Sequence, residues 1–187
     1  MSLSFQPLVV LETPRLRMRP WCADDRAPFW AINSEPEVER FLSPLTRSGS
    51  DQMLDRIDRH FSDHGWGFWA LEEKQARQLI GLCGIAHLAW EAPFGRAVEL
   101  SWRLSRSRQG QGFAREAAEA SLGFGLRMLK LERLVAFTVP TNTASWGLME
   151  RLGMRKIGNF DYPLLPEGHP LRTQVLYEVT MEDLGGR

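Results

Sequence analysis

Cysteine is scarce in this chain, and neither sign of charge is in excess. Cys22 and Cys83 are the only cysteines among 187 residues, and neither stands in a Cys-x-x-Cys pair or in a cysteine and histidine group with zinc spacing. The sequence therefore excludes a disulfide-stapled fold and is typical of a reducing cytoplasm. Lysine plus arginine number 23, as do aspartate plus glutamate, so no net field attracts nucleic acid or an anionic membrane.

Long apolar runs are also lacking. No stretch of about 18 consecutive apolar residues occurs, and the opening MSLSFQPLVVLETPRL has no basic segment followed by an apolar one. We expect no membrane span, no export signal and a cytoplasmic location. The composition that is present, 43% hydrophobic and 25% charged, predicts one folded domain over residues 1–187.

Strand-like and helix-like segments alternate along the chain without an internal repeat. Apolar periodicity and the positions of glycine and proline predict strands in 9–21, 66–73, 78–90, 97–104, 133–139 and 175–181, helices over 50–65, 112–130 and within 140–153, and a loop over 159–174. Ser50 is the expected N-cap of the first helix. Small residues share one face of helix 112–130, which favours close packing on a sheet. Short turns favour an antiparallel meander in the middle, and the helical crossover makes 97–104 and 133–139 parallel neighbours.

Two glycines stand between the strand that ends near Leu104 and the helix that begins near Gly112. Gly110 and Gly112 leave the backbone bare at a helix N-terminus, where free N–H groups and the helix dipole favour phosphate. A tight turn without a ligand is the structural alternative. No Lys-Ser or Lys-Thr follows the glycines, which excludes a Walker loop, and Arg115 replaces the third glycine of a dinucleotide fingerprint.

Three segments carry a resemblance to a known family. The loop QGQGFA, residues 109–114, resembles the Gln/Arg-x-x-Gly-x-Gly/Ala pyrophosphate loop of the GNAT superfamily of acetyl-CoA-dependent N-acetyltransferases. Longer segments resemble the branch that contains ribosomal-protein N-acetyltransferases; they are ELSWRLSRSRQGQGFAREA, NTASWGLMERLGM and GFWALEE followed by LIGLCGIA. They occur in the same order as in that branch, and the resemblance covers roughly residues 8–158. The resemblance implies an α/β (α+β) fold, a mixed and mostly antiparallel sheet whose two central parallel strands splay apart, flanked by helices.

The resemblance also implies acetyl-CoA as cosubstrate, held by a core at about residues 97–153. The pantetheine arm is expected along the main chain of Trp102, Arg103 and Leu104. The pyrophosphate is expected on the amides of Gln109, Gly110, Gln111, Gly112, Phe113, Ala114 and Arg115. Arg108 and Arg115 are either additional phosphate partners or ordinary solvated residues.

Asn142 and Ser145 stand three residues apart at a helix start, so they share a face. Local N-cap chemistry is one explanation for both residue types. The resemblance instead implies that Asn142 binds pantetheine and that Ser145 protonates the departing thiolate, where many GNAT enzymes use a tyrosine. Tyr162 and Tyr177 are the only tyrosines, and neither lies in this helix.

Glu99, on the strand leading into the expected gap, is the first candidate for the base that deprotonates the amine, against a solvent-facing strand position as the alternative. His87, His169 and Asp161 are weaker candidates. No metal site is expected.

The expected acceptor is a primary amine, either a protein N-terminus or a small-molecule amine, handled by a monomer or homodimer. Aromatic residues belong either to the core or to an acceptor pocket; they are Trp66, Phe68, Trp69, Trp90 and Trp102. A non-catalytic acyl-CoA-binding or sensing domain is the alternative function, because the expected tyrosine is missing. A nucleic-acid module ranks last because the net charge is zero.

Overall fold

Eight strands of the described residues form one mixed sheet in a computed structural model that describes residues 8–185. The strands are β1 Leu11–Glu12, β2 Leu16–Arg19, β3 Phe68–Glu73, β4 Gln78–His87, β5 Val98–Leu104, β6 Arg133–Thr138, β7 Arg155–Asp161 and β8 Thr173–Thr180. Their order across the sheet is β1-β2-β3-β4-β5-β6-β8-β7. Neighbouring strands are antiparallel except β5 and β6, which are parallel, so the predicted class and the predicted parallel pair are confirmed.

Six α-helices accompany the sheet within the same residues. They are α1 Arg26–Asn33, α2 Pro36–Glu39, α3 Arg47–His64, α4 Phe113–Gly123, α5 Thr143–Arg151 and α6 Met181–Gly185. A π-helical turn, Phe124–Met128, continues α4. None of these helices has the length and apolar content that a bilayer crossing requires.

The β5–β6 junction is the feature of the sheet that positions the site. Within the described residues, Glu99 and Val135 are the only Cα partners that the two parallel strands share. β5 continues to Leu104 on its other side, where Gly81 to His87 of β4 pair with it throughout. The backbone edge of β5 beyond Glu99 is therefore open toward β6, as the predicted splay requires.

Small residues let α4 pack closely on the sheet, as predicted. Ala117 and Ala118 are fully buried, and the Ser121 hydroxyl donates to the Ala117 carbonyl at 2.9 Å. A Cβ placed on Gly125, in the π-helical turn, would lie 3.0 Å from the side chains of Ile85 and Leu134. At this contact, the helix backbone and small side chains occupy the space that large side chains fill elsewhere in the core.

Three sequence predictions about the helices differ from the structure. The helix predicted over 50–65 begins at Arg47, because the Thr46 hydroxyl accepts from the Gly49 N–H at 3.0 Å and caps it. Ser50 is buried inside the helix and accepts from the Asn33 amide. The helix predicted over 112–130 begins at Phe113 and ends at Met128, and its last five residues are π-helical.

The predicted loop over 159–174 contains the end of an unpredicted strand. β7 is a polar edge strand, largely exposed, with Arg155, Lys156 and Asn159 along it. Its sequence has no apolar alternation, and its extended shape depends on antiparallel pairing with β8. Tertiary pairing therefore decides this segment, and the irregular segment is confined to residues 162–172.

Candidate active site

A groove of about 440 Å³ opens where β5 ends and where α4 and α5 begin. Its walls come from β5, the glycine loop after it, the two helix N-termini and the α2 region. The lining residues are Glu37, Val38, Phe41, Leu42, Trp102, Arg103, Leu104, Arg108, Gln109, Gly110, Gly112, Ala114, Arg115, Asn142, Ala144, Ser145, Leu148 and Arg151. This volume is typical of pockets that bind small molecules, which measure several hundred cubic ångströms.

The glycine loop presents backbone to this groove. Gly110 and Gly112 have φ angles of 73° and 83°, in the left-handed region that favours glycine. Gly112 is the N-cap of α4, and the first helical hydrogen bond runs from the Glu116 N–H to the Gly112 carbonyl at 3.0 Å. The N–H groups of residues 113–115 precede that bond, so they face outward at the positive end of the helix dipole. This arrangement suits an anion.

Arg15, which directly precedes β2, contacts the glycine loop and stabilises it. Its Nη1 donates to the Gln111 carbonyl at 2.9 Å, and its Nε donates to Glu116 at 2.6 Å. The guanidinium carbon lies 4.2 Å from the centre of the Phe113 ring. Sequence reasoning missed this role, because the alternation around Arg15 indicates only a solvent-facing strand position.

The two arginines considered as phosphate partners both form ion pairs. Arg108 donates from Nε to Glu73 at 2.8 Å, and Arg115 donates from Nε to Glu119 at 2.8 Å, one helical turn away. Both line the groove. Each guanidinium keeps further N–H groups beyond the one used in its pair, so pairing does not prevent contact with a second anion.

The start of α5 forms the opposite wall. The Asn142 side chain accepts from the Ser145 N–H at 3.4 Å and donates to the Thr138 hydroxyl at 3.0 Å, so it caps α5 and ties it to the end of β6. N-cap chemistry is thus one role of Asn142. Ser145 is half-buried in the first turn, and it lines the groove.

Arg103 and Glu99 lie on β5 four residues apart, on the same face of the strand. Arg103 donates to the side-chain oxygen of Asn33, and burial lowers its pKa to about 10 against the opposing effect of Glu99. Glu99 is half-buried, and burial raises its pKa to about 7, opposed by the Ser101 hydroxyl and the Arg103 charge. A carboxyl group with this pKa exchanges its proton near neutral pH.

Aromatic rings cluster on the Glu99 side of the β5–β6 junction. We call the half-buried set Trp90, Phe94, Phe137, Phe160 and Tyr162 the aromatic wall. Trp90 lies 5.0 Å from Tyr162 and 6.0 Å from Phe160 between ring centres, and Phe94 lies 5.1 Å from Phe160. Burial, followed by the charge of Glu99, raises the pKa of Tyr162, which places the wall within electrostatic reach of that carboxyl group.

Comparison with known proteins decides the family. Residues 15–155 match the model of the acetyltransferase (GNAT) domain. The chain belongs to the GNAT family of N-acetyltransferases. This acetyltransferase is 30% identical over 151 residues to the uncharacterized N-acetyltransferase p20 of Bacillus licheniformis, covering 79% of this chain and 83% of p20. It is 26% identical over 186 residues to the [ribosomal protein uS5]-alanine N-acetyltransferase of Escherichia coli, covering 95% and 93%.

A solved structure has the same fold. Mycobacterium smegmatis RimJ in complex with CoA-disulfide matches this acetyltransferase with a TM-score of 0.70 and 20% identity, covering 90% of this chain and 83% of that one. The predicted resemblance to the GNAT superfamily, including its ribosomal-protein branch, is confirmed. The predicted enzyme class, N-acetyltransferase, is confirmed with it.

The groove of this acetyltransferase collects most, but not all, of the residues predicted to act. Gln111 and Phe113 do not line it with their side chains, because the Gln111 amide donates to the Ser107 carbonyl and the Phe113 ring is buried under Arg15. Glu99 lies outside the groove lining, at the strand junction. The other predicted cofactor residues line the groove; they are Trp102, Arg103, Leu104, Gln109, Gly110, Gly112, Ala114, Arg115 and Asn142.

One wall of the groove has no counterpart in the sequence predictions. Glu37, Val38, Phe41 and Leu42 lie in and after α2, which has only four residues and no measurable apolar period. Pro36 at the first helical position and the paired apolar residues 41–42 are the signals present, and they indicate a short helix without indicating what it faces.

Proposed function

We propose that this acetyltransferase moves the acetyl group of acetyl-CoA to a primary amine, carried by a protein N-terminus or by a small molecule. The observation that carries the proposal is the glycine loop, whose two left-handed residues expose the α4 N-terminus inside an open groove. The groove volume and the open edge of β5 fit the elongated shape of the cosubstrate. The relative that acetylates an alanine of ribosomal protein uS5 supports the protein N-terminus as one acceptor.

In the proposed complex, the amides of residues 110–115 hold the pyrophosphate, with charge added by Arg108 and Arg115. The Gln109 N–H, also predicted to take part, already donates to the Arg106 carbonyl at 3.2 Å. The main chain of Trp102, Arg103 and Leu104 holds the pantetheine arm along the open edge of β5. The side-chain oxygen of Asn142 accepts in the α5 cap and one of its N–H groups donates to Thr138, so a pantetheine contact uses the second lone pair or the second N–H. RimJ, which shares this fold, has a solved structure in complex with CoA-disulfide, and this supports a coenzyme A compound as the ligand.

In the proposed reaction, the nitrogen loses two protons and the sulfur gains one. Glu99 takes the first proton from the ammonium, and the freed amine nitrogen forms a bond to the thioester carbonyl carbon. The N–H of Ser101 or Trp102 stabilises the oxyanion of the tetrahedral intermediate. The carbon–sulfur bond then breaks, the nitrogen releases its second proton to solvent, and the Ser145 hydroxyl gives its proton to the thiolate and regains one from solvent.

The aromatic wall supports an acceptor whose amine sits on an apolar or peptide-like body. Half-buried rings beside the Glu99 carboxyl group attract a protonated amine through their π faces and bury its carbon skeleton. Trp90, named among the sequence candidates, belongs to this wall. Trp69 is fully buried and Trp66 nearly so, and both belong to the core cluster.

Gly112→Val tests the proposed cofactor groove. Its Cβ is expected to disturb the loop, because φ is 83° and the new atom would lie 3.3 Å from Arg15 Nη2. We expect acetyl-CoA affinity to fall about tenfold or more, about 1.4 kcal/mol. Isothermal titration measures the affinity, and thiol release in the presence of an amine panel measures turnover.

Gly95→Val is the matched control. Gly95 has a φ of 81°, no atom lies within 4 Å of a Cβ placed there, and it lies outside the groove. Both variants carry similar backbone strain, but only Gly112→Val places a new side chain in the groove, beside Arg15. Equal affinity in folded Gly112→Val and Gly95→Val protein would refute the loop assignment. Tight acetyl-CoA binding without thiol release for any amine would favour the non-catalytic acyl-CoA-binding alternative.

A further inference from the structure

Three of the four histidines in the chain meet at one place outside the groove. His60 and His64 lie one turn apart in the last part of α3, and His87 ends β4. One ring nitrogen of each lies within 4.8 Å of one from each of the others. Their ring centres are 4.4 Å (His60–His64), 4.9 Å (His64–His87) and 5.7 Å (His60–His87) apart. We call these residues the histidine cluster.

We propose that the histidine cluster binds a divalent transition-metal ion, with zinc as the best match. Neutral imidazole is a preferred ligand of zinc, and an i, i+4 histidine pair on a helix plus a third histidine from another element is a common way to supply three ligands. The function proposed above does not use these residues, and none of them lines the groove. A water molecule or a second protein group would complete four-coordination.

The surroundings of His60 suit this role. Its Nδ1 lies 2.8 Å from the Trp66 carbonyl, which requires a proton on Nδ1 and leaves a lone pair on Nε2. Metal-bound histidines typically donate their other N–H to a carbonyl in this way, which fixes the ring. The His87 N–H donates to His60 Nε2 at 3.2 Å, a long bond that a metal ion would replace.

The three imidazole rings must move slightly closer together to bind one metal ion. Two nitrogens bound to one tetrahedral zinc lie about 3.3 Å apart, given a Zn–N distance of about 2.0 Å. The present spread of up to 4.8 Å is larger. His64 is half-buried and His87 is exposed, so both side chains have room to rotate toward His60. Binding would then join the C-terminal end of α3 to the end of β4.

Titration of metal-stripped, tag-free protein with ZnCl₂ tests the proposal. We expect one zinc ion per chain and a rise in the melting temperature, because a ligand that prefers the folded state stabilises it. His87→Ala and the double variant His64→Ala, His87→Ala should each weaken binding by at least about the 10- to 100-fold that loss of an outer-shell partner costs. His60 is left intact because its ring also bonds to the Trp66 carbonyl.

His169→Ala is the control, since His169 is the fourth histidine and lies outside the cluster. It should bind zinc as the wild type does. Absence of saturable zinc binding to the wild type would overturn the proposal, as would equal affinity in wild type and His87→Ala. Circular dichroism identifies folded variants, and the exposed position of His87 makes its single variant the decisive one if the double variant does not fold.

Discussion

Glu99 has an environment that differs from that of an ordinary surface carboxyl group. It forms the one β5–β6 register pair with Val135, it is half-buried, and its pKa is raised to about 7. Below that pH the carboxyl group holds its proton and cannot accept another from the amine. Above it, the carboxylate is available as a base, so the group is matched to reaction near neutral pH.

Glu99→Gln should lower turnover by about 10²- to 10⁴-fold, the usual contribution of a general base. Because Glu99 lies outside the groove lining, we expect acetyl-CoA affinity to stay unchanged. In the wild type, turnover should fall as the pH drops below about 7, and this acidic limb should vanish in Glu99→Gln. A pH–rate profile under saturating acetyl-CoA measures both effects.

Two variants make that result specific. Glu132→Gln changes an exposed carboxyl group before β6 and should leave the profile as it is. Ser145→Ala should reduce turnover and keep the acidic limb, since it removes the proposed acid and leaves the base. An unaltered acidic limb in Glu99→Gln would assign the base to another residue, and unaltered turnover in Ser145→Ala would end its proposed role.

At the scale of elements, α5 depends on one residue for two connections. Asn142 caps the helix through Ser145 N–H and ties it to β6 through the Thr138 hydroxyl. The groove wall formed by Ser145, Ala144 and Leu148 is therefore positioned by the same side chain that is proposed to bind pantetheine. Comparison with another N-cap separates an effect of Asn142 on the groove from a general loss of stability.

Asn142→Ala should lower the free energy of unfolding by about 1 kcal/mol, the usual cost of losing an N-cap. Thr46→Ala removes the α3 cap, away from the groove, and should cost a similar amount. Urea denaturation measures both. Acetyl-CoA affinity that falls in Asn142→Ala and not in Thr46→Ala would support a role of Asn142 in the groove, by direct contact or by positioning α5, whereas equal affinities would leave Asn142 as a cap alone.

Some elements could be predicted from the sequence, and others depend on tertiary contacts. The glycine loop was predictable, because Gly110 and Gly112 mark left-handed backbone and the flanking strand and helix have clear periods. β7 was not, because its polar residues gain their extended shape from β8. The α2 wall depends on packing that no local pattern encodes. The histidine cluster had a partial signal in the i, i+4 spacing of His60 and His64, but His87 joins them only through the fold.

At the scale of the whole molecule, the groove draws on segments far apart in the chain, from α2 to α5. A ligand that binds there contacts many elements of the folded state and no comparable site in the unfolded chain. The energy of binding therefore adds to the stability of the entire fold, and melting of the protein reports on occupancy.

Acetyl-CoA at about 100 times its dissociation constant should add about 2.7 kcal/mol of stability. For a domain of this length, that corresponds to a rise of roughly 5 to 10 °C in the melting temperature. Differential scanning calorimetry measures the shift, with NAD and ATP at the same concentration as controls. A rise of the same size with either control would contradict selective recognition of acetyl-CoA.

Because Glu99 and Val135 are the only partners between β5 and β6 in the described residues, the main chain of β5 beyond Glu99 lacks a strand partner on that side, and this edge is the proposed binding surface. Every amino acid except proline carries the same N–H and C=O groups, so substitutions along this edge preserve those groups while the strand forms. Side-chain substitutions along the β5 edge are therefore expected to be tolerated. The aromatic wall lies on other segments and consists of side chains, so under the proposed function substitutions there would change the amine that is accepted while the groove is kept.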